Sequence, residues 1–142
     1  YASRGLSALV FRGANTGLDE LTTTDVNQVW LVSGGAVVET EFDARESLGM
    51  ASSSIEDLAG GEAAENAAVA RDVLSGGGAD AVRDAVALNV GAGILAWEGL
   101  DNPVTQADFE QRMRGAVERA LAALADGSGA RLVERWVAAS NG

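Results

Sequence analysis

Residues 7–42 carry short apolar runs with a strand-like period, and beyond Asp43 the chain turns to alanine, leucine and regularly spaced charges. Ser7 to Arg12 (SALVFR) is a β-branched and apolar run ending at Gly13, which predicts a buried strand feeding a loop. Val29–Val32 and Ala36–Phe42 are two further runs separated by Ser33, Gly34 and Gly35, a spacing that predicts an antiparallel hairpin. In the second run Val38 and Thr40 alternate with Glu39 and Glu41, so one side is expected to face water.

The remainder reads as helical. Ser54 ahead of Ile55, Glu56 and Asp57 predicts a capped short helix, since its hydroxyl can accept from the free amides of the first turn. From Glu62 to Leu74, Ala63, Ala67, Ala70 and Leu74 share one face, and Gly76, Gly77 and Gly78 end the helix. Asp80 to Trp97 is apolar nearly all round past Asp84, which predicts packing on several sides. Gly91 and Gly93 there lower helix propensity, so close approach of a neighbouring element is expected to compensate. Thr105 with Asp108 resembles a capping box, and Phe109, Met113, Ala116, Val117, Ala120, Leu121 and Leu124 trace a long amphipathic helix broken at Asp126–Gly129. A last helix carries Leu132, Val133, Trp136 and Val137, expected in the core.

Composition narrows the chemistry. With no cysteine and no histidine, thiol catalysis, thiolate metal sites and Ser-His-Asp triads are excluded within these 142 residues, so a metal would be held by oxygen. Ten basic against 21 acidic residues give a net charge of -11, which repels nucleic-acid phosphates and anionic membranes alike. The longest apolar stretch, Ala85–Trp97, is interrupted by Asn89 and is shorter than the roughly 20 residues that span a bilayer. The length suits a single domain, 1–142.

The candidate chemistry lies in GLDELTTT, Gly17 to Thr24, where Asp19 and Glu20 stand between a glycine and a hydroxyl-rich segment. Adjacent carboxylates in a turn are either solvated surface or hard oxygen ligands for magnesium. Gly60 and Gly61 precede a helix, but Glu62 and Glu65 would repel a phosphate there, so helix entry is the reading preferred. Arg83 and Asp84 read as an ion pair or helix-terminal charges, Asn89 as a side chain satisfying a backbone group, and Arg112, Arg114 and Arg119 as a solvated face.

In their order, GLDELTTT, the hairpin, GGEAAENAAVARDVLSG (Gly60–Gly76), VRDAVALNVGAGIL (Val82–Leu95) and ALADGSGARLVERWV (Ala123–Val137) resemble the C-terminal part of the anthranilate phosphoribosyltransferase family. The resemblance implies an α/β fold: the C-terminal portion of a nucleoside phosphorylase/phosphoribosyltransferase-type catalytic domain, with a strand and hairpin followed by a cluster of about four helices. It further implies transfer of phosphoribosyl from phosphoribosyl pyrophosphate to anthranilate in tryptophan biosynthesis, with Mg2+ as cofactor and Asp19 and Glu20 as its ligands. A cytoplasmic enzyme, homodimeric when intact, is also implied. Pyrophosphate leaves as a highly charged group, and a metal held by hard carboxylates spreads that charge without a proton donor.

Two departures stand out: Arg12 precedes Gly13 where the family has histidine, and the loop at Ala14, Asn15 and Thr16 is longer. The family's phosphate loop, its lysine-containing loop and its anthranilate-contacting arginine correspond to no position here, so the substrate-binding residues are expected upstream of Tyr1. The expectation is therefore a fragment inactive alone. The alternatives are a pyrimidine nucleoside phosphorylase-like enzyme, against which the acidic pair and the GGEAAENA word argue, and a non-catalytic binding or assembly module of the same fold.

Overall fold

In the computed structural model, which describes Tyr1 through Gly142, the apolar runs pair into a three-stranded antiparallel sheet in the order β1 (Ala8–Gly13), β2 (Asn27–Ser33), β3 (Ala36–Phe42). Its register runs from Ala8 opposite Val32 to Gly13 opposite Asn27, and from Asn27 opposite Phe42 to Ser33 opposite Ala36. The hairpin turns on Gly34 and Gly35 with φ of 58° and 80°, the two successive positive angles a primed two-residue turn demands and glycine supplies without a Cβ clash.

Strand alternation puts Asn27, Val29 and Leu31 of β2 on the inner face, all buried, with Phe42 of β3 beside them. Asp43 ends the sheet and caps α1 (Ala44–Leu48), its carboxylate accepting from the Arg45 amide at 2.9 Å. Four further helices follow: α2 (Ala63–Leu74), α3 (Asp80–Glu98), α4 (Phe109–Ala125) and α5 (Ser128–Ser140). Leu88 and Leu95 of α3 and Phe109, Met113, Val117 and Leu124 of α4 join the sheet residues in one core. Phe42 meets Phe109 edge to face, with ring centroids 5.4 Å apart and planes at 71°, a favoured aromatic geometry.

The predicted Ser54 cap is present, and of the predicted Thr105–Asp108 box only the return bond forms, ahead of an α4 that has no side-chain cap. Asp57 donates its amide to Ser54 Oγ at 3.2 Å, and the Thr105 amide donates to Asp108 Oδ1 at 2.9 Å. The expected close approach is found at Gly91, where an added Cβ would lie 2.8 Å from Val117 Cγ2 and 3.2 Å from Val117 N. Gly93, by contrast, faces open space.

Several expectations are corrected. β1 is an edge strand, half-buried rather than buried, with Val10 exposed, because only β2 lies beside it. On β3, Val38 is exposed as well as its glutamates, since β3 is the other edge and only its Phe42 end reaches the helices. α3 does pack on several sides, against α4, β1 and the turn at Glu56–Leu58, while a narrow stripe with Val90 and Trp97 faces outward. In α2, Val73 is the buried residue and Ala63 and Ala70 are exposed. α5 buries none of its residues: Trp136 is 71 % exposed, and Leu132 and Val137 are exposed with it. The α4–α5 break is shorter than expected, with only Asp126 and Gly127 between the helices. Arg112 is not solvated either: its guanidinium donates to the carbonyls of Asn102 at 3.0 Å and Pro103 at 3.2 Å, tying down the α3–α4 connection.

The two α3 glycines should therefore respond oppositely to the same change. Gly91→Ala overpacks the α3–α4 contact and should destabilise by about 1–3 kcal/mol, whereas Gly93→Ala should stabilise by about 0.5–1 kcal/mol. Urea unfolding of both variants checks the pair of signs.

Candidate functional site

The acidic loop leaves β1 at Gly13 and returns to β2 at Asn27. It is closed at its base by backbone bonds from Gly13 N to Leu18 O at 2.7 Å and from Ala14 N to Val26 O at 2.8 Å. Asp25, only 7 % exposed, organises the near half. Its carboxylate accepts from the amides of Asn15 (2.6 Å), Thr16 (2.8 Å) and Val26 (2.8 Å) and from Asn15 Nδ2 (2.8 Å). Burial pushes this carboxyl up, but the bond from the Asn15 side chain and the three amide bonds outweigh it and hold the pKa at about 2.

The far half is held from α3 and β2. Leu21, fully buried, donates its amide to Asn89 Oδ1 at 3.2 Å, and its carbonyl accepts from Asn89 Nδ2 at 2.9 Å. Asn27 grips Thr22 in the same two-bond manner, at 3.2 and 3.0 Å, and also donates to the Phe42 carbonyl at 3.2 Å. The three threonines are occupied internally: Thr22 and Thr24 share a hydroxyl bond of 2.7 Å, and Thr23 bonds Ser53 at 2.8 Å.

Between these anchors lie Asp19 and Glu20, both exposed and absent from every ion pair of the chain. They open onto different hollows: Asp19 onto one beside β1 with Tyr1, Phe11 and Ala96, Glu20 onto one of about 320 Å3 beside α3 with Thr22, Val82, Ala85 and Asn89. No cluster of three or more acidic, histidine or cysteine side chains forms anywhere in the molecule. The donor set therefore offers two free carboxylates and no enclosing cage. In donor type, though with the two carboxylates bordering separate hollows, that suits magnesium, which keeps several waters and is commonly bound by one or two carboxylates plus substrate oxygens.

The other candidates resolve as structural. The Gly61 amide is taken by Asn66 Oδ1 at 2.8 Å and the Glu62 amide by Glu65 Oε2 at 2.8 Å, so the α2 entrance is self-capped. Arg83 pairs with Asp80 at 2.7 Å and Asp84 at 3.3 Å, as read from the sequence. Asn89 does satisfy backbone groups, as expected. Asp25 and Asn27 were not singled out by sequence reasoning. The available signal was two short Asx residues at the start of a strand, a type that bonds local backbone and fixes turns.

A sheet bearing an exposed acidic pair in the loop after its first strand, with helices packed on one face, defines an α/β domain with two free carboxylates near a strand end. Residues 3–130 match the glycosyl transferase family, a/b domain, and the chain belongs to that family. It is similar to the anthranilate phosphoribosyltransferase of Nocardia farcinica, 46% identical over 144 residues that cover 99% of this chain and 40% of the relative. The enzyme of the same name from an Arthrobacter species is also 46% identical, over 141 residues, 99% of this chain and 38% of its own. The chain thus spans about two-fifths of the length of these curated relatives. Among solved structures, anthranilate phosphoribosyltransferase from Thermus thermophilus superposes with a TM-score of 0.74 at 34% identity, covering 93% of this chain and 35% of that one. The Saccharomyces cerevisiae enzyme in complex with PRPP and Mg has a TM-score of 0.72 at 19% identity, over 90% of this chain and 33% of that one, a likeness of fold. No helix is long and apolar enough to cross a membrane.

Asp25 gives the loop a pH signature. Its folded pKa of about 2 lies below the ordinary 3.8, so its contribution is complete above 3.8 and lost as pH falls through 2. At 1.36 kcal/mol per unit this is about 2 kcal/mol. Asp25→Asn should lose about that much stability at neutral pH and show a correspondingly shallower acid loss than the parent, read from urea midpoints.

Proposed function

We propose that this chain forms the magnesium-binding portion of an anthranilate phosphoribosyltransferase, with Asp19 and Glu20 as the metal's protein ligands. The observation that carries the proposal is the pair of carboxylates left free on a loop whose other polar side chains are hydrogen-bonded within the protein. The similarity of nearly the whole chain to enzymes of that name, one of them solved with PRPP and Mg, supports the same reading.

When bound, the ion would supply positive charge to the pyrophosphate leaving group of phosphoribosyl pyrophosphate. What this chain contributes is placement. Asp25 and Asn27 hold the two ends of the loop, and the sheet and α3 keep its backbone in one conformation. The net charge of -11 disfavours direct binding of the substrate's phosphates by this portion. Those contacts, and the anthranilate site, come from parts of the enzyme outside these residues, so the 142-residue chain has no transferase activity alone.

Joining the chain to the upstream residues of the Nocardia farcinica relative tests both statements. The joined protein should consume anthranilate, followed by loss of its fluorescence, and Asp19→Asn or Glu20→Gln should lower kcat/KM by about 100-fold. Unchanged turnover in both variants overturns the metal assignment. Turnover by the 142-residue chain near the joined rate overturns the division of labour.

A further inference from the structure

We infer that Asn89 is a positioning residue for the Asp19–Glu20 carboxylates, acting through the backbone of Leu21; this rests on the magnesium reading above. The Leu21 amide belongs to the peptide unit that joins it to Glu20, so the 3.2 Å bond to Asn89 Oδ1 fixes the plane from which Glu20 projects. The return bond, Nδ2 to the Leu21 carbonyl at 2.9 Å, holds the next peptide unit, so the planes on both sides of the Leu21 Cα are fixed by one side chain. The second Nδ2 hydrogen goes to the Ala85 carbonyl at 2.8 Å, so the amide's orientation is set by its own helix.

This arrangement is more than generic satisfaction of a helix residue. Asn89 lines the same hollow as Glu20, yet its amide is fully engaged with backbone and does not bond that carboxylate. Leu21 itself is fully buried, so without Asn89 both of its polar backbone groups would lie unpaired away from water. The loop would then have to shift to solvate them, carrying Glu20 with it. A carboxylate on a mobile backbone must also be ordered when the ion binds, and that entropy is lost from the affinity.

The test uses the full 142-residue chain, labelled with 15N, and Mn2+ as a paramagnetic substitute for magnesium. In the parent, Mn2+ should broaden the amide signals of Asp19 and Glu20, and the Leu21 amide should exchange with solvent far more slowly than the Glu20 amide. Asn89→Ala should raise the Mn2+ midpoint by about 10-fold, the usual loss when a group orienting a metal ligand is removed. Leu124→Ala, which removes core volume two turns beyond the Gly91 crossing and away from the loop, should lower thermal stability and leave the midpoint where it was. Equal midpoints for Asn89→Ala and the parent overturn the inference while the magnesium reading stands. Should Asn89→Ala fail to fold, rapid exchange at Leu21 in the parent overturns it without any variant. Absence of broadening at Asp19 and Glu20 in the parent overturns the magnesium reading, and this inference with it.

Discussion

The close passage of α3 over α4 at Gly91 governs the arrangement of nearly everything else. With no Cβ at that position, α3 settles against Val117 and, from the same seating, presents Leu88 and Leu95 to the core shared with the sheet and Asn89 to the acidic loop. Helix axes approach only as closely as the side chains at the crossing allow. A larger residue at position 91 would lift α3 from α4 and change the height at which Asn89 meets Leu21. Packing in the core and geometry at the loop are in this way one problem.

Electrostatics then separates the carboxylates into two kinds. Asp25, Asp43, Asp57 and Asp126 all have lowered pKa values. Hydrogen bonds from Asn15 and nearby amides outweigh burial at Asp25. Arg45 lowers Asp43, the Ser54 amide and hydroxyl lower Asp57, and Ser128 lowers Asp126. Each of these charges is matched to a cap or turn that it holds in place. Asp19 and Glu20 hold nothing in the fold, and in a chain of net charge -11 two adjacent unpaired carboxylates repel each other and their surroundings. On the function proposed above, a divalent cation relieves that repulsion.

The local signals were read well where one residue answers to its near neighbours. The hairpin on Gly34 and Gly35, the Ser54 cap, the Thr105–Asp108 bond, the buried stripe of α4 and the self-capped entrance of α2 are all set by contacts within a few residues. Periodicity misled at α5. It reports that a helix has an apolar face and carries no information on whether another element covers it. Leu132, Trp136 and Val137 form such a face and lie open, as do Val90 and Trp97.

The acidic pair shows the same division. Read along the chain, GLDELTTT offers two adjacent carboxylates in a turn, which spacing leaves open between solvated surface and magnesium ligands and which only the family resemblance turns toward metal. The threonines looked like part of that chemistry and are internal ties of the loop. That Asp25 should close the loop, that Asn89, 68 residues beyond Leu21, should clamp it, and that Asp19 and Glu20 should be left free were settled only when the sheet and α3 came together. Hydrogen bonds between residues so far apart follow from where packing places the two backbones, and no local pattern encodes that distance.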